Sequence, residues 1–159
     1  MIDALIVTHP HTDHSPGALA VLRHFEVREY YDPGFPSTLD TYKNFRHAVD
    51  AESAEGRPIV QHVGRGSFGT PDRGSELKVE WLWAWPGSAE GLGSDNDLVN
   101  NASIVFRLVY GTQSVLFMGD AEEGTDQVVI VSSGRHSLCG TFLRHLSAGP
   151  RNSRAHLRP

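Results

Sequence analysis

A single cysteine, Cys139, leaves this 159-residue chain without internal cross-links, so its folding needs no oxidising compartment. Long hydrophobic runs are missing as well. None approaches the roughly 20 apolar residues that a membrane-spanning helix requires. The N-terminus lacks the basic lead of a signal peptide, Asp3 interrupts it, and the apolar stretch Ala4–Val7 is too short, so no targeting segment is expected. Positive charge is also scarce. With 14 Lys and Arg against 19 Asp and Glu, the net charge is −5, which excludes a polycation that coats nucleic acid. An anionic substrate stays open, because a bound metal would supply its own local positive charge. Internal repeats and low-complexity tracts are absent, and 39% hydrophobic residues suit one globular domain with one core.

What is plentiful is histidine, nine in all, and its clustering matters more than its number. Ala4–Val7 reads as a short strand buried on both faces. It stops at Thr8-His9-Pro10-His11-Thr12-Asp13-His14, a polar loop. Ser15-Pro16 then reads as an N-cap and first helical position, opening a helix over Pro16–Phe25 with Leu19, Leu22 and Phe25 toward the core. Val27–Tyr31 is a strand closed by the turn signal Asp32-Pro33-Gly34. The segment Ser37–Ala54 has helical character, with Ser37 as cap and Leu39, Tyr42, Phe45 and Val49 periodic. Pro58–Val63 and Leu77–Trp85 are strands, separated by a Gly-rich loop over 64–74. Trp81, Trp83 and Trp85 alternate and should share one face, where packing is the default and base stacking the rival use. A loop is expected over Pro86–Asn101. Ser103–Val109 and Ser114–Met118 follow as a hairpin, and Val128–Ser132 is a last apolar run. Strands in both hairpin and crossover arrangements, mixed with helices, give an α/β or α+β class with helices covering sheets.

The chemistry sits in His9-x-His11-x-Asp13-His14. Residues two apart in an extended segment point to one side, so His9 and His11 can converge on one ion, and Pro10 holds His9 extended. Asp13 and His14 turn with the chain into the helix and can face a second ion beside the first. Imidazole and carboxylate suit zinc and related divalent metals at about 2.0–2.2 Å. Two such ions about 3.5–4 Å apart could clamp an oxyanion. The competing reading, a loop of merely solvated histidines, fits poorly with three His and one Asp in six positions.

The segment Ile2–Gly17 resembles the first metal motif of metallo-β-lactamase-fold hydrolases, with its preceding strand and following helix. A second stretch, Asn100-Asn101-Ala102-Ser103-Ile104-Val105-Phe106-Arg107-Leu108 through Val115–Met118 to Gly119-Asp120-Ala121, is similar to the C-terminal hydrolase domain of ComEC-type DNA-uptake (competence) proteins. The resemblance implies an αββα sandwich over residues 1–133, here partial because the family's earlier strands are missing, and a divergent, poorly ordered tail over residues 134–159. It also implies His9 and His11 as first-metal ligands, Asp13 and His14 as second-metal ligands, and Asp120 as a bridging carboxylate. A turn aspartate is the rival reading of Asp120. Asn100 or Asn101 could touch a water or substrate, or simply belong to an Asn-rich turn. The family's later His motif has no clear match; His145 is the candidate, with His136 and His156 weaker. His24 and His47 read as structural or exposed, and His62 as a strand end.

The expected activity is metal-dependent hydrolysis: one or two zinc ions, with manganese as substitute, and a metal-bound hydroxide attacking a DNA-like phosphodiester, oriented by Asp13 or Asp120 as catalytic residues. β-Lactam, thioester or lactone hydrolysis is the rival within the fold. A metal-binding fragment without turnover, truncated at both ends and self-associating through an exposed sheet edge, is the rival outside it.

Overall fold

A computed structural model describes residues 1–54, 59–64, 68, 76–122, 125 and 141–142. The first half builds a parallel sheet. Strand β1 (Ile2–Ile6) leads through helix α1 (Ser15–His24) to β2 (Val27–Asp32), and helix α2 (Asp40–Ala54) leads on to β3 (Val60–Val63), giving the order β1-β2-β3. Leu5 and Val7 point to one side, where Ala18 and Leu22 of α1, Tyr30 of β2, and Tyr42, Phe45 and Val49 of α2 close a buried cluster. Ala4 and Ile6 point to the other side, into a cluster shared with the second sheet. The continuous apolar run at Ala4–Val7 is explained by this double coverage, although β1 is an edge strand and only half-buried along most of its length.

The second half builds strand β4 (Leu77–Trp83), helix α3 (Asp95–Asn101), β5 (Val105–Tyr110), β6 (Gln113–Phe117) and the two-residue β7 (Thr141–Phe142), ordered β4-β5-β6-β7. Strands β4, β5 and β6 are antiparallel neighbours, and β7 runs parallel to β6. Val79, Trp81 and Phe106 meet Tyr31, Ala4 and Ile6 between the sheets. The outer face, with Trp83, Val105 and Met118, packs under Leu92 and under Leu98 of α3. Helices, sheet, sheet and helix thus stack in four layers, the αββα arrangement expected.

Several local expectations are corrected. Ser15 is the first residue of α1 rather than its cap. The cap position falls to His14, and the Ser15 hydroxyl donates to the His11 carbonyl at 3.2 Å. Phe25 ends α1 in extended conformation and is exposed, so the core stripe stops at Leu22. Helix α2 begins at Asp40; the Ser37 hydroxyl accepts from the Leu39 amide at 3.2 Å upstream of it, and Leu39 lies outside the core. The loop expected over Pro86–Asn101 ends instead in α3. Asp and Asn are weak helix formers, but tertiary contacts override propensity here. The Trp83 indole donates to the Asn101 carbonyl at 2.7 Å, and the Asn101 side chain donates to the Leu92 carbonyl at 3.0 Å. The three tryptophans do not share a face. Trp81 pairs with Phe106 and Trp83 with its neighbour Val105, so Leu82 is an extra residue that flips the alternation. Trp81 packs between the sheets, Trp83 on the outer face, and Trp85 against Phe35 with ring centroids 4.8 Å apart.

At the C-terminal end of β2, Asp32 is fully buried yet well satisfied. Its carboxylate accepts from the Tyr30 and Tyr42 hydroxyls and from the Gly34 amide, and pairs with Arg46 at 3.4 Å. Burial, reinforced by that carboxylate, pushes both phenols well above the ordinary tyrosine range. The gaps around 55–58, 65–67 and 69–75 include most of the expected Gly-rich loop. Val128–Ser132, His136, Cys139, His145, His156 and the His62 side chain also lie outside the described residues. No helix among the described residues is long and apolar enough to cross a membrane.

Candidate metal centre

Strand β1 ends against the second sheet, and the loop that follows carries the motif. The backbone there is tied down twice: the Val7 amide donates to the Tyr31 carbonyl at 3.1 Å, and the Ile104 amide donates to the Thr8 carbonyl at 2.9 Å. The second bond joins the motif to the segment entering β5. From the other direction, β6 runs out into Met118-Gly119-Asp120. Gly119 turns with φ +57°, a left-handed conformation that glycine adopts freely, and this brings Asp120 over His9.

His9 is the buried hub, with no solvent exposure. Its Nε2 lies 3.1 Å from Nδ1 of His11 and 3.8 Å from Oδ2 of Asp120. The same Asp120 oxygen lies 3.5 Å from Nε2 of His14, which in turn is 3.7 Å from Oδ2 of Asp13. The His9 and His14 ring centroids are 4.1 Å apart. His9, His14 and Asp120 offer donor atoms all within 4.8 Å of one another. His11 joins this trio from the His9 side, and the mostly exposed Asp13 joins from the His14 side.

Five donors therefore form a chain, His11–His9–Asp120–His14–Asp13, with one carboxylate oxygen between the two inner imidazoles. Donors bound at about 2.1 Å to a tetrahedral ion stand about 3.4 Å apart. The His9–Asp120 and Asp120–His14 separations of 3.8 and 3.5 Å lie near that value, so His9, His14 and Asp120 could share a divalent ion, with His11 and Asp13 one contact further out on either side. Electrostatics agree. Burial first, then the neighbouring His14 and His11, push the His9 pKa down to about 3 from an ordinary 6.5, with Asp13 opposing. His9 is thus neutral at any ordinary pH, which is the state a ligand must have.

Beside Asp13, His14 and Asp120 lies an open cleft of about 500 Å³, walled by Thr8, Gly119, Ile6, Phe106, Phe117 and Met118. It can place a substrate group directly against the donors. Of the two asparagines, Asn101 is committed to the fold, while the buried Asn100 Oδ1 has no hydrogen-bond partner among the described residues. Asn101 is buried, its side-chain oxygen accepting from the Glu122 amide and the Thr125 hydroxyl, both at 2.8 Å. Asn100 donates to Glu122 at 2.8 Å, and neither residue lines the cleft. His24 bonds the Ala20 carbonyl on the exposed face of α1, and His47 is exposed on α2. Sequence reading passed over Ser103, a fully buried hydroxyl 3.2 Å from Nδ1 of His9. Its only sequence signal is a small polar residue just before an apolar strand.

An αββα sandwich with histidines and a carboxylate gathered where its two sheets meet defines a class of fold that can hold a metal ion. A model of the metallo-beta-lactamase superfamily matches residues 1–148, and the chain belongs to that superfamily. No curated protein matches it in sequence.

Proposed function

We propose that this chain is a metal-dependent hydrolase of phosphodiesters, with DNA-like substrates. Superfamily membership supports metal-dependent hydrolysis as the class. The observation that carries the reading is the Asp120 carboxylate oxygen lying 3.8 Å from His9 and 3.5 Å from His14 at the mouth of the cleft. His9, His11, Asp13, His14 and Asp120 would hold one or two zinc or manganese ions, with His9 and His11 on one and Asp13 and His14 on the other. An ion held there supplies Lewis-acid charge for an anionic substrate and a water acidic enough to react near neutral pH. Asp13, the most exposed of the five donors, would hold a reacting water and take its proton. Asp120 would hold its position between the two imidazoles, and Phe106, Phe117 and Met118 give the cleft an apolar wall beside it.

The preference for phosphodiesters rests on the likeness of Asn100–Leu108 and Val115–Ala121 to the ComEC-type domain, and on a metal site that offsets the chain's net charge of −5. The test is metal analysis of the purified chain, followed by cleavage of single- and double-stranded DNA with zinc or manganese. Asp13→Ala, on an exposed side chain, should keep the fold and lose turnover at least 100-fold. β-Lactam, thioester and lactone substrates run beside DNA, and turnover of one of those with intact DNA replaces the phosphodiester assignment. Metal binding with no turnover of any of them favours a binding module instead. For that second reading the specific support is β1, whose outer edge has no neighbouring strand among the described residues and offers a pairing surface for a second copy.

A further inference from the structure

We propose that Ser103 is the positioning residue of this metal centre: a single buried hydroxyl that aims His9 and anchors Asp120 at once. The inference rests on the metal-site reading above and adds a residue that touches none of the outward-facing donor atoms.

Ser103 lies between α3 and β5, completely buried, 94 positions from His9 in the chain. Its Oγ is 3.2 Å from Nδ1 of His9 and accepts from the Asp120 backbone amide at 3.3 Å. A backbone amide can only donate, so one oxygen lone pair is committed to Asp120. Toward the His9 ring at 3.2 Å the hydroxyl can either accept or donate, and we assign it the acceptor role. With the ring proton on Nδ1, His9 donates to Ser103, and its Nε2 presents a bare lone pair toward His11 Nδ1 and Asp120. The opposite tautomer would put a proton where a metal ion must bind. Thr8 Oγ1 also stands 3.2 Å from Nδ1, so it shares the acceptor role, but no hydrogen bond of its own runs to Asp120. Ser103 alone among the described side chains bonds both sides of the centre.

The surroundings are built tightly around this hydroxyl. A Cβ added at Gly119 would lie 2.9 Å from Ser103 Oγ and 2.9 Å from Thr8 Cβ. The glycine before Asp120 is therefore what lets Ser103 and Thr8 sit together behind the His9 ring. Partners of this kind behind a ligating imidazole typically change metal affinity 10- to 100-fold when removed.

The experiment uses the full chain and the isosteric pair Ser103→Thr and Ser103→Val, with Ser103→Ala and Thr8→Val beside them. Zinc affinity is measured by competition with a chromophoric chelator, and the cobalt-substituted proteins are compared by their d–d absorption. Threonine keeps the hydroxyl and should bind zinc within about threefold of wild type. Valine and alanine at 103 should bind about 10- to 100-fold more weakly with an altered cobalt spectrum, and Thr8→Val should lose less than either. Melting of the metal-free variants separates packing from aiming, since Thr and Val at 103 disturb the packing alike. Equal zinc affinity in that pair overturns the proposal. Long-range nitrogen–proton NMR on the metal-free wild type reads the tautomer without any variant. A His9 protonated on Nε2 overturns the proposal even where no variant at 103 folds. A wild type that binds no zinc removes the metal-site reading itself, a distinguishable outcome.

Discussion

Gly119→Ala is the substitution through which the packing behind the metal centre can be weighed. Two costs combine there. The residue sits at φ +57°, a left-handed conformation that costs a side-chain-bearing residue about 1–2 kcal/mol. The new methyl would also meet Ser103 Oγ and Thr8 Cβ at 2.9 Å and Thr8 Oγ1 at 3.0 Å, closer than real Cβ atoms come. Neither neighbour is the loose end of a long side chain, so something must shift, and overpacking of this kind costs about 1–3 kcal/mol more. The sum is about 2–5 kcal/mol.

Gly111 supplies the matched control. It turns the β5–β6 hairpin at φ +56°, and an added Cβ there meets nothing within 4 Å. Gly111→Ala therefore carries the backbone cost alone. Urea denaturation of the metal-free variants should show Gly119→Ala less stable than Gly111→Ala by about 1–3 kcal/mol, or roughly 3–10 °C lower in melting temperature for a chain of this size. Zinc affinity should fall only in Gly119→Ala, because the shift falls on the residues that position His9 and Asp120. Equal loss of stability in both variants would refute the crowding argument, and unchanged zinc affinity in Gly119→Ala would refute its link to the site.

Three further outcomes are expected. The metal-free chain should lose stability as pH falls from about 6.5 toward 3. The unfolded His9 takes a proton in that window and the folded one, held to about 3, does not, so one proton's difference gives a slope of up to about 1.4 kcal/mol per pH unit. Urea midpoints at several pH values check this, and an acid loss no smaller in His9→Gln would count against it. Asn101→Ala should cost about 2–4 kcal/mol in urea denaturation, because it strands the Glu122 amide, the Thr125 hydroxyl and the Leu92 carbonyl. A stability change under 1 kcal/mol would return Asn101 to the list of possible substrate contacts. Zinc at 100 times its dissociation constant should stabilise the chain by about 2.7 kcal/mol, read equally by tryptophan fluorescence in the second sheet and by amide exchange in β1 and β2. Protection of one sheet only would mean the site does not bridge them.

The parts of the fold that were legible from sequence are those encoded over short distances. The His9–His14 cluster, the apolar run before it and the proline-started α1 are contiguous, and the hairpin around Gly111 carries its own turn signal. Apart from helix ends misplaced by a residue or a few, the errors have long-range causes. Helix α3 forms because Trp83 and Leu92 bind Asn101, not because Asp95–Asn101 favours helix. The tryptophan faces diverge because Leu82 is inserted opposite β5, and a bulge is invisible without knowing the partner strand. Ser103 escaped for the same reason, since nothing near it in the chain announces a histidine 94 positions away.

That distance also says how the site comes into being. The motif after β1 holds four donors by local geometry, but Asp120 arrives only when the second sheet docks. The docking contacts at this point are the Ile104 amide on the Thr8 carbonyl and the Ser103 hydroxyl between His9 and Asp120. Each joins a residue of the motif to the segment that opens β5. Closing the sandwich and completing the donor set are therefore one event, and a first half folded alone would present His9, His11, Asp13 and His14 without the carboxylate that lies between them. An ion that needs Asp120 cannot bind tightly before the two sheets meet. Its binding energy accordingly falls on the sheet-to-sheet interface.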